Sequence, residues 1–392
     1  MPYITIFRPP RTHQVTFDEI LMGEVEIPQS AMRSGPIADT VTRFYPSVSP
    51  KLLRRVDVPS LIAKLSTFCE AHSSLFVDNK QSLYSTFYIP KRSGGLRRID
   101  APNEDLMNAL RELKSIFESQ FGALYHTSAF AYVANRSTID CVKRHQGNES
   151  RWFLKTDFSN FFGSTTEEFL FRMISQIFPF SAAVQCVAGK TAIKKALSLC
   201  FLNGGLPQGT PISPMLTNLM MIPIDFKLAN SLKQRGFIYT RYADDIIISH
   251  KYSFIFMDIV KEINGVLSEF EAPFRLNSGK TRYGSSSGSN WNLGVMLNAN
   301  NEITLGWRKK KQLRAMINSF VLDSKNNIPW DYHDVAAFSG LLSYCKMVEP
   351  SFYAQLLRFT YEKYGVDLKI LIQNKLNGGS EHGTEVPDSL WI

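Results

Sequence analysis

Asp157, Asp244 and Asp245 are the residues whose types and spacing best suit catalysis in this 392-residue chain. Asp157 closes the β-forming run Trp152-Phe153-Leu154-Lys155-Thr156. Asp244 and Asp245 lie between Phe237-Ile238-Tyr239-Thr240 and Ile246-Ile247-Ile248, which predicts strand, tight turn, strand with the acids at the tip. Either acidic spot alone is ordinarily structural, because Asp bonds its own backbone in turns. Together, three strand-end carboxylates are the minimum set for two hard cations such as Mg²⁺, which keeps positions for water and substrate phosphates. Two ions about 4 Å apart serve an in-line displacement at phosphorus, activating a hydroxyl and stabilising the leaving pyrophosphate.

Such chemistry leaves the protein to position groups and neutralise charge, so the chain must supply a pocket and cations. Tyr84 to Asp100 reads as a hairpin bent at Gly94-Gly95, with Lys91, Arg92, Arg97 and Arg98 around the bend. Those cations suit a triphosphate; a charged edge hairpin that resists aggregation is the plainer reading. Asn203 to Pro214, dense in Gly and Pro, is no P-loop, since Gly-Lys-Ser/Thr is missing. It reads either as a long turn or as a rigid loop bringing Gln208 close to a base or sugar. Trp307-Arg308-Lys309-Lys310-Lys311-Gln312-Leu313-Arg314 opens a helix whose cations are either solvated or track a phosphate backbone.

The remaining chain frames these pieces. Residues 1–50, rich in Pro and Ser, read as an irregular arm. Helices are expected after Asp57-Val58-Pro59-Ser60, at 102–121 (Leu106, Leu110, Leu113, Phe117 and Phe121 as a core stripe), from about Met215 to Gln234, and around 253–270, 331–346 and 350–364. Thr165 and Glu168 stand at capping-box spacing. From about 375 the chain reads as a frayed tail. With 44% hydrophobic and 20% charged residues the composition is globular, and the net charge of +9 suits a polyanionic partner. Five scattered Cys without a Cys-x-x-Cys pair argue against a zinc site or disulfide framework. The N-terminus lacks a signal peptide's apolar core and no run reaches membrane-spanning length, so a cytoplasmic protein is expected.

Taken in order, these motifs resemble the reverse transcriptases over about residues 84–365. Tyr242-Ala243-Asp244-Asp245 is similar to their catalytic hairpin, and Asp157 with Phe162 five residues on to their first metal motif and steric gate. Leu206-Pro207-Gln208-Gly209 with Ser213-Pro214 and Asn218 resembles the nucleotide pocket. Ile89-Pro90-Lys91 to Arg97 resembles the fingers hairpin, Lys280 the lysine near the incoming nucleotide, and Leu293-Gly294 the primer grip. The resemblance implies an α+β right-hand polymerase: fingers, a palm whose antiparallel sheet carries the catalytic Asp residues, and a helical thumb. Its bounds would be 51–150 for fingers with part of the palm, 151–300 palm, 301–374 thumb and 375–392 tail. It also implies metal ligation by Asp157, Asp244, Asp245 and the Phe158 carbonyl, with Mg²⁺ or alternatively Mn²⁺. Nucleotide contacts would come from Lys91, Arg97, Phe162, Gln208 and Lys280, and primer or template contacts from Tyr242, Leu293, Gly294, Arg308, Lys311 and Arg314.

The implied activity is RNA-directed DNA synthesis from dNTPs. The short chain beyond the thumb is similar to bacterial retron and defence-associated members. Ser137 to His145 resembles the retron-specific segment, but Cys141-Val142 stands where retrons carry Asn-Ala, and Asn292-Leu293-Gly294 where they carry Val-Thr-Gly. The expected protein is a defence-associated relative outside the retrons, acting against phage, with a dedicated noncoding RNA as candidate template, DNA as product and no membrane partner. A partner protein or homo-oligomer stays open. So do template-independent or protein-primed synthesis, an RNA polymerase, and a catalytically weak nucleic-acid-binding scaffold.

Overall fold

The computed structural model describes residues 57–91, 94–121, 125–287 and 291–378; the expected arm (1–50), Arg92 and the segment beyond 378 lie outside them. The chain divides into two compact units, one ending at Ser285 and the other beginning at Ser286. In the first, α1 (Val58–Ala71) precedes the hairpin β1 (Tyr84–Pro90) and β2 (Leu96–Pro102), then α2 (Glu104–Phe121) and α3 (Thr138–Gly147). Next come β3 (Trp152–Asp157), the one-turn α4 (Phe161–Ser164), α5 (Glu167–Ile174), α6 (Phe180–Ala183) and α7 (Val187–Ser198). The unit closes with α8 (Ser213–Lys233), β4 (Ile238–Tyr242), β5 (Asp245–His250), α9 (Phe256–Glu269) and β6 (Arg282–Ser285).

A four-stranded antiparallel sheet in the order β4-β5-β3-β6 organises this unit. Strand alternation sorts its side chains between two faces. Leu154, Tyr239, Ile246 and Ile248 share one buried apolar cluster with Leu216, Leu219 and Met220 of α8 and Ile259 and Ile263 of α9. Phe153, Asp157 and Asp245 take the other face by the same alternation, and there α3 lies over β4, its Cys141 thiol 3.2 Å from Thr240 Oγ1. Helix α8 is buried on nearly every side, as a helix apolar all round must be. Each Leu or Phe so enclosed contributes about 1.5–3 kcal/mol relative to exposure. Of the α2 stripe, Leu106, Leu110, Leu113 and Phe117 are fully buried, as their spacing predicts, while the Phe121 side chain lies outside the described residues.

Two local differences from the sequence reading have simple causes. Helix α5 is capped by Thr166, whose hydroxyl accepts from Phe169 N at 3.2 Å, and not by Thr165. Thr165 is consumed as the C-terminal cap of α4, donating its hydroxyl to Phe161 O at 3.0 Å. Strand β4 runs past Thr240 through Arg241 and Tyr242, leaving Ala243 and Asp244 as the turn and Asp245 as the first residue of β5.

The second unit holds the three-stranded β7 (Trp291–Asn292), β8 (Val295–Leu297) and β9 (Ile303–Thr304). Four helices follow: α10 (Gly306–Lys325), α11 (Tyr332–Val348), α12 (Pro350–Tyr364) and α13 (Leu368–Gly378). Helix α13 continues past position 375, where the sequence suggested fraying, because Leu368 and Ile372, one turn apart, are both buried.

Candidate active site

Asp157 and Asp245 are direct partners in the β3–β5 register, and Tyr242 pairs with Asp245 across the β4–β5 turn. Asp244 joins them through the backbone: Phe158 N donates to its carbonyl at 3.1 Å. Asn277 N donates to the Asp157 carbonyl at 2.8 Å, fixing the strand end from the other side. Asp157 is 4% exposed; its Oδ2 accepts from Lys280 Nζ at 2.5 Å, while its Oδ1 is buried without a partner. Phe158 continues the strand as bridge partner of Leu276, with its ring stacked on Phe161.

Negative charge is concentrated here. Partial desolvation, then the Asp244 and Asp157 charges, push the Asp245 carboxyl up to about 6. Asp244 is raised mainly by burial, against which its own backbone bond and the charges of Lys280 and Arg97 act. Lys280 is held above the usual lysine range, chiefly by its bond to Asp157. Among the described residues no three His, Cys, Asp or Glu side chains close round one point as a metal cage. The acids are neighbours by register instead, with the Asp157 Oδ1 buried and partnerless. Such a donor set fits a hard divalent ion that completes its shell with water and substrate phosphates.

Two loops that carry expected nucleotide residues are clipped to their neighbours through the backbone. Phe162, on α4, has its carbonyl engaged by Leu206 N at 3.0 Å. A Cβ on Gly205 would stand 2.3 Å from Gly163 O, so the two loops touch backbone to backbone. Gln208 accepts at its carbonyl from Asp100 N at 2.8 Å, which ties the loop to β2. Gly209 follows at φ +119°, where a Cβ would meet Ile99 Cγ2 at 2.9 Å. Arg97 is exposed on β2 opposite Ile89, and its charge acts on Asp244. Lys91 closes the hairpin bend by donating its amide to Gly95 O at 2.9 Å, and it is exposed.

In the second unit, Leu293 and Gly294 form the β7–β8 turn, both left-handed at φ 49° and 87°. The Gly294 carbonyl accepts from Lys309 Nζ at 2.8 Å and Tyr344 Oη at 3.3 Å. Arg308, Lys311 and Arg314 are exposed on α10, with Lys311 over the Trp307 ring and Arg314 over Phe352. Lys310 turns instead to Glu349 and the Phe352 ring.

Sequence reasoning passed over several residues. Tyr132, left-handed at φ 59° and 55% exposed as a whole residue, has its hydroxyl raised by partial desolvation and then by the Asp244 and Tyr242 charges, with Arg97 opposing. Arg241 and Asp225 pair in the core, and His145 is sealed between Ser249 and Thr240. The available signal was a charged residue inside an apolar run, Arg241 in β4 and Asp225 in α8, since a buried charge requires a partner.

Residues 89–311, more than half of the chain, match the family described as reverse transcriptase (RNA-dependent DNA polymerase). The chain is similar to Retron Ec83 reverse transcriptase of Escherichia coli, 27% identical over 306 residues, which are 76% of this chain and 91% of that one. It is similar as well to Retron Ec73 reverse transcriptase of Escherichia coli, 28% identical over 74% of this chain and 89% of the relative. A third relative is Retron Mx65 reverse transcriptase of Myxococcus xanthus, 27% identical over 70% of this chain and 64% of its own. Among solved structures it is similar to telomerase from Candida albicans in complex with a fragment of telomeric RNA, at 11% identity and a TM-score of 0.43. That match covers 82% of this chain and 65% of the telomerase. With most of the expected site residues inside the matched span, the chain belongs to the reverse transcriptase family of RNA-directed DNA polymerases, with an α+β right-hand fold.

Proposed function

We propose that Asp157, Asp244 and Asp245, with the Phe158 main-chain carbonyl, hold two Mg²⁺ ions, for which Mn²⁺ can substitute, and that the enzyme extends a 3′-hydroxyl with dNTPs. The observation that carries this reading is the facing pair Asp157 and Asp245 with a buried, partnerless Asp157 Oδ1. When bound, such ions activate the attacking hydroxyl and neutralise the leaving pyrophosphate. Lys280 and Arg97 bring positive charge to the same place and suit a triphosphate, with Lys91 further along the hairpin. Phe162 acts as the gate against a ribose 2′-hydroxyl, and Gln208 contacts the nucleotide. Tyr242 and the Leu293–Gly294 turn hold the primer, and Arg308, Lys311 and Arg314 follow the phosphate backbone.

The likeness to bacterial retron reverse transcriptases supports a defence-associated enzyme that works in the cytoplasm against phage and copies a dedicated noncoding RNA. Cys141-Val142, where retrons carry Asn-Ala, favours a relative outside the retrons themselves. Among the described residues no helix is long and apolar enough to cross a membrane. The decisive experiment purifies the protein from its host and sequences the bound nucleic acids. A defined RNA with complementary DNA is expected, and DNA without a complementary RNA would replace this reading with template-independent synthesis. Loss of phage protection in the Asp244→Asn, Asp245→Asn double variant tests the defence role; full protection would remove it.

A further inference from the structure

Arg241 is a fully buried cation inside a catalytic strand. Its Nη2 lies 2.7 Å from Asp225 Oδ2 and its Nε 2.9 Å from Asp225 Oδ1, and Asp225 is equally buried. Tyr239 Oη donates to the same Asp225 Oδ1 at 2.7 Å. A buried pair is weak evidence for stability, because desolvation of both ions offsets their attraction and apolar replacements are often as stable. The feature stability leaves unexplained is the remaining arm of the guanidinium. Arg241 Nη1 donates to the carbonyl of Ala243 at 3.0 Å.

Ala243 is the left-handed residue of the hairpin turn, at φ 57°, and Asp244 comes next. That conformation is unfavourable for a residue with a Cβ and persists where its surroundings hold it. The Arg241 backbone is itself held: its amide donates to Ser128 O at 2.7 Å and its carbonyl accepts from Phe130 N at 2.9 Å. Asn218, two turns before Asp225 on α8, fixes the same neighbouring segment by donating to Ala131 O at 2.7 Å. One helix, entered from the Gln208 loop, thus anchors both the turn and the segment beside it.

We propose that Arg241 is a positioning residue for the polymerase reaction: oriented by Asp225 and Tyr239, it holds the Ala243 turn so that Asp244 and Asp245 face Asp157 in one geometry. This rests on reading the three acids as the catalytic set. Asp225 balances the guanidinium charge, so the action on the turn is the directed hydrogen bond to Ala243 O.

The test uses the full chain and the paired variant Arg241→Met, Asp225→Leu, which removes both ions at once. Thermal unfolding, Mn²⁺ binding by electron paramagnetic resonance and single-nucleotide extension with Mg²⁺ are measured. The melting temperature should stay within a few degrees, while kcat falls about 100-fold with KM for dNTP changed less than about threefold. Mn²⁺ affinity should fall about tenfold, and Arg241→Lys, which keeps a donor, should recover about tenfold in kcat. Parental kcat in the paired variant, or kcat lost only in step with unfolding and without rescue by lysine, overturns the proposal. Should the paired variant not fold, Tyr239→Phe removes the single hydroxyl that orients Asp225. It should lower kcat about threefold or more at parental melting temperature, and an unchanged kcat overturns the proposal. A parent that incorporates no dNTP, or whose Asp244→Asn, Asp245→Asn form is equally active, removes the catalytic reading as well.

Discussion

Asp157 and Asp245 face one another across β3 and β5, two carboxylates in direct register where a sheet ordinarily sets complementary groups. Like charges directly opposite destabilise a strand pair, and the raised pKa of Asp245 reflects the same crowding after partial desolvation. Asp245→Asn should therefore stabilise the protein in chelator by about 0.2–1 kcal/mol while removing dNTP incorporation. Thermal unfolding with and without Mg²⁺, beside a primer-extension assay, reads both effects. A variant less stable than the parent in chelator would contradict the electrostatic account.

The Phe162 backbone is clipped to Leu206, so its half-buried side chain can be changed with the loop in place. Phe162→Ala should lower the preference for dNTP over rNTP about tenfold or more, a loss of at least ~1.4 kcal/mol of discrimination. Single-turnover incorporation with each nucleotide measures it, and an unchanged ratio removes the gate.

Gly209 sits where a methyl group would strike Ile99 Cγ2 and the Asp100 carbonyl, at a φ that side chains rarely adopt. Gly209→Ala should cost about 1–3 kcal/mol in stability. It should also raise KM for dNTP more than it lowers kcat, since the displaced residue is Gln208 and not an acid. A variant with parental melting and parental KM would show the loop to be looser than its contacts imply.

His145 is sealed in the core, with Nδ1 2.6 Å from Ser249 Oγ and Nε2 2.8 Å from Thr240 Oγ1. Burial first, then the charges of Arg144 and Lys155, push its pKa down to about 3. The unfolded chain, with an ordinary histidine near 6.5, binds the extra proton between those values. Its contribution to stability is thus complete above about pH 6.5 and is lost as pH falls towards 3, at up to ~1.4 kcal/mol per pH unit. Urea denaturation between pH 5 and 8 should show that slope in the parent and a flatter profile in His145→Gln. Equal slopes would assign the acid loss to other groups.

The strand-end acids, the Gly-Gly hairpin, the Gln208 loop and the apolar stripe of α2 were legible because each depends on local pattern or chain order. Arg241 with Asp225, His145 with Ser249, and Tyr132 beside Asp244 were not. Their partners lie 16 residues apart or more along the chain, and no periodicity announces a polar contact made only after the sheet has packed on α8 and α3. The cap at Thr166 was missed by one residue because α4, a single turn, has no periodicity to read. Helix α13 was missed because its short apolar stretch from Leu368 to Ile372 runs into a polar segment that ends in Gly378-Gly379.

The bond from Leu206 N to Phe162 O, with Gly205 lying against Gly163, has a consequence for how this enzyme can diverge. Two segments more than forty residues apart in the chain thus meet backbone to backbone, so neither can shift without displacing the other. With Phe162 as the proposed gate, sugar choice would rest on the side chain at position 162. On that reading, a lineage acquiring ribonucleotide use would do so by a change at that one codon, with the surrounding backbone left as it is.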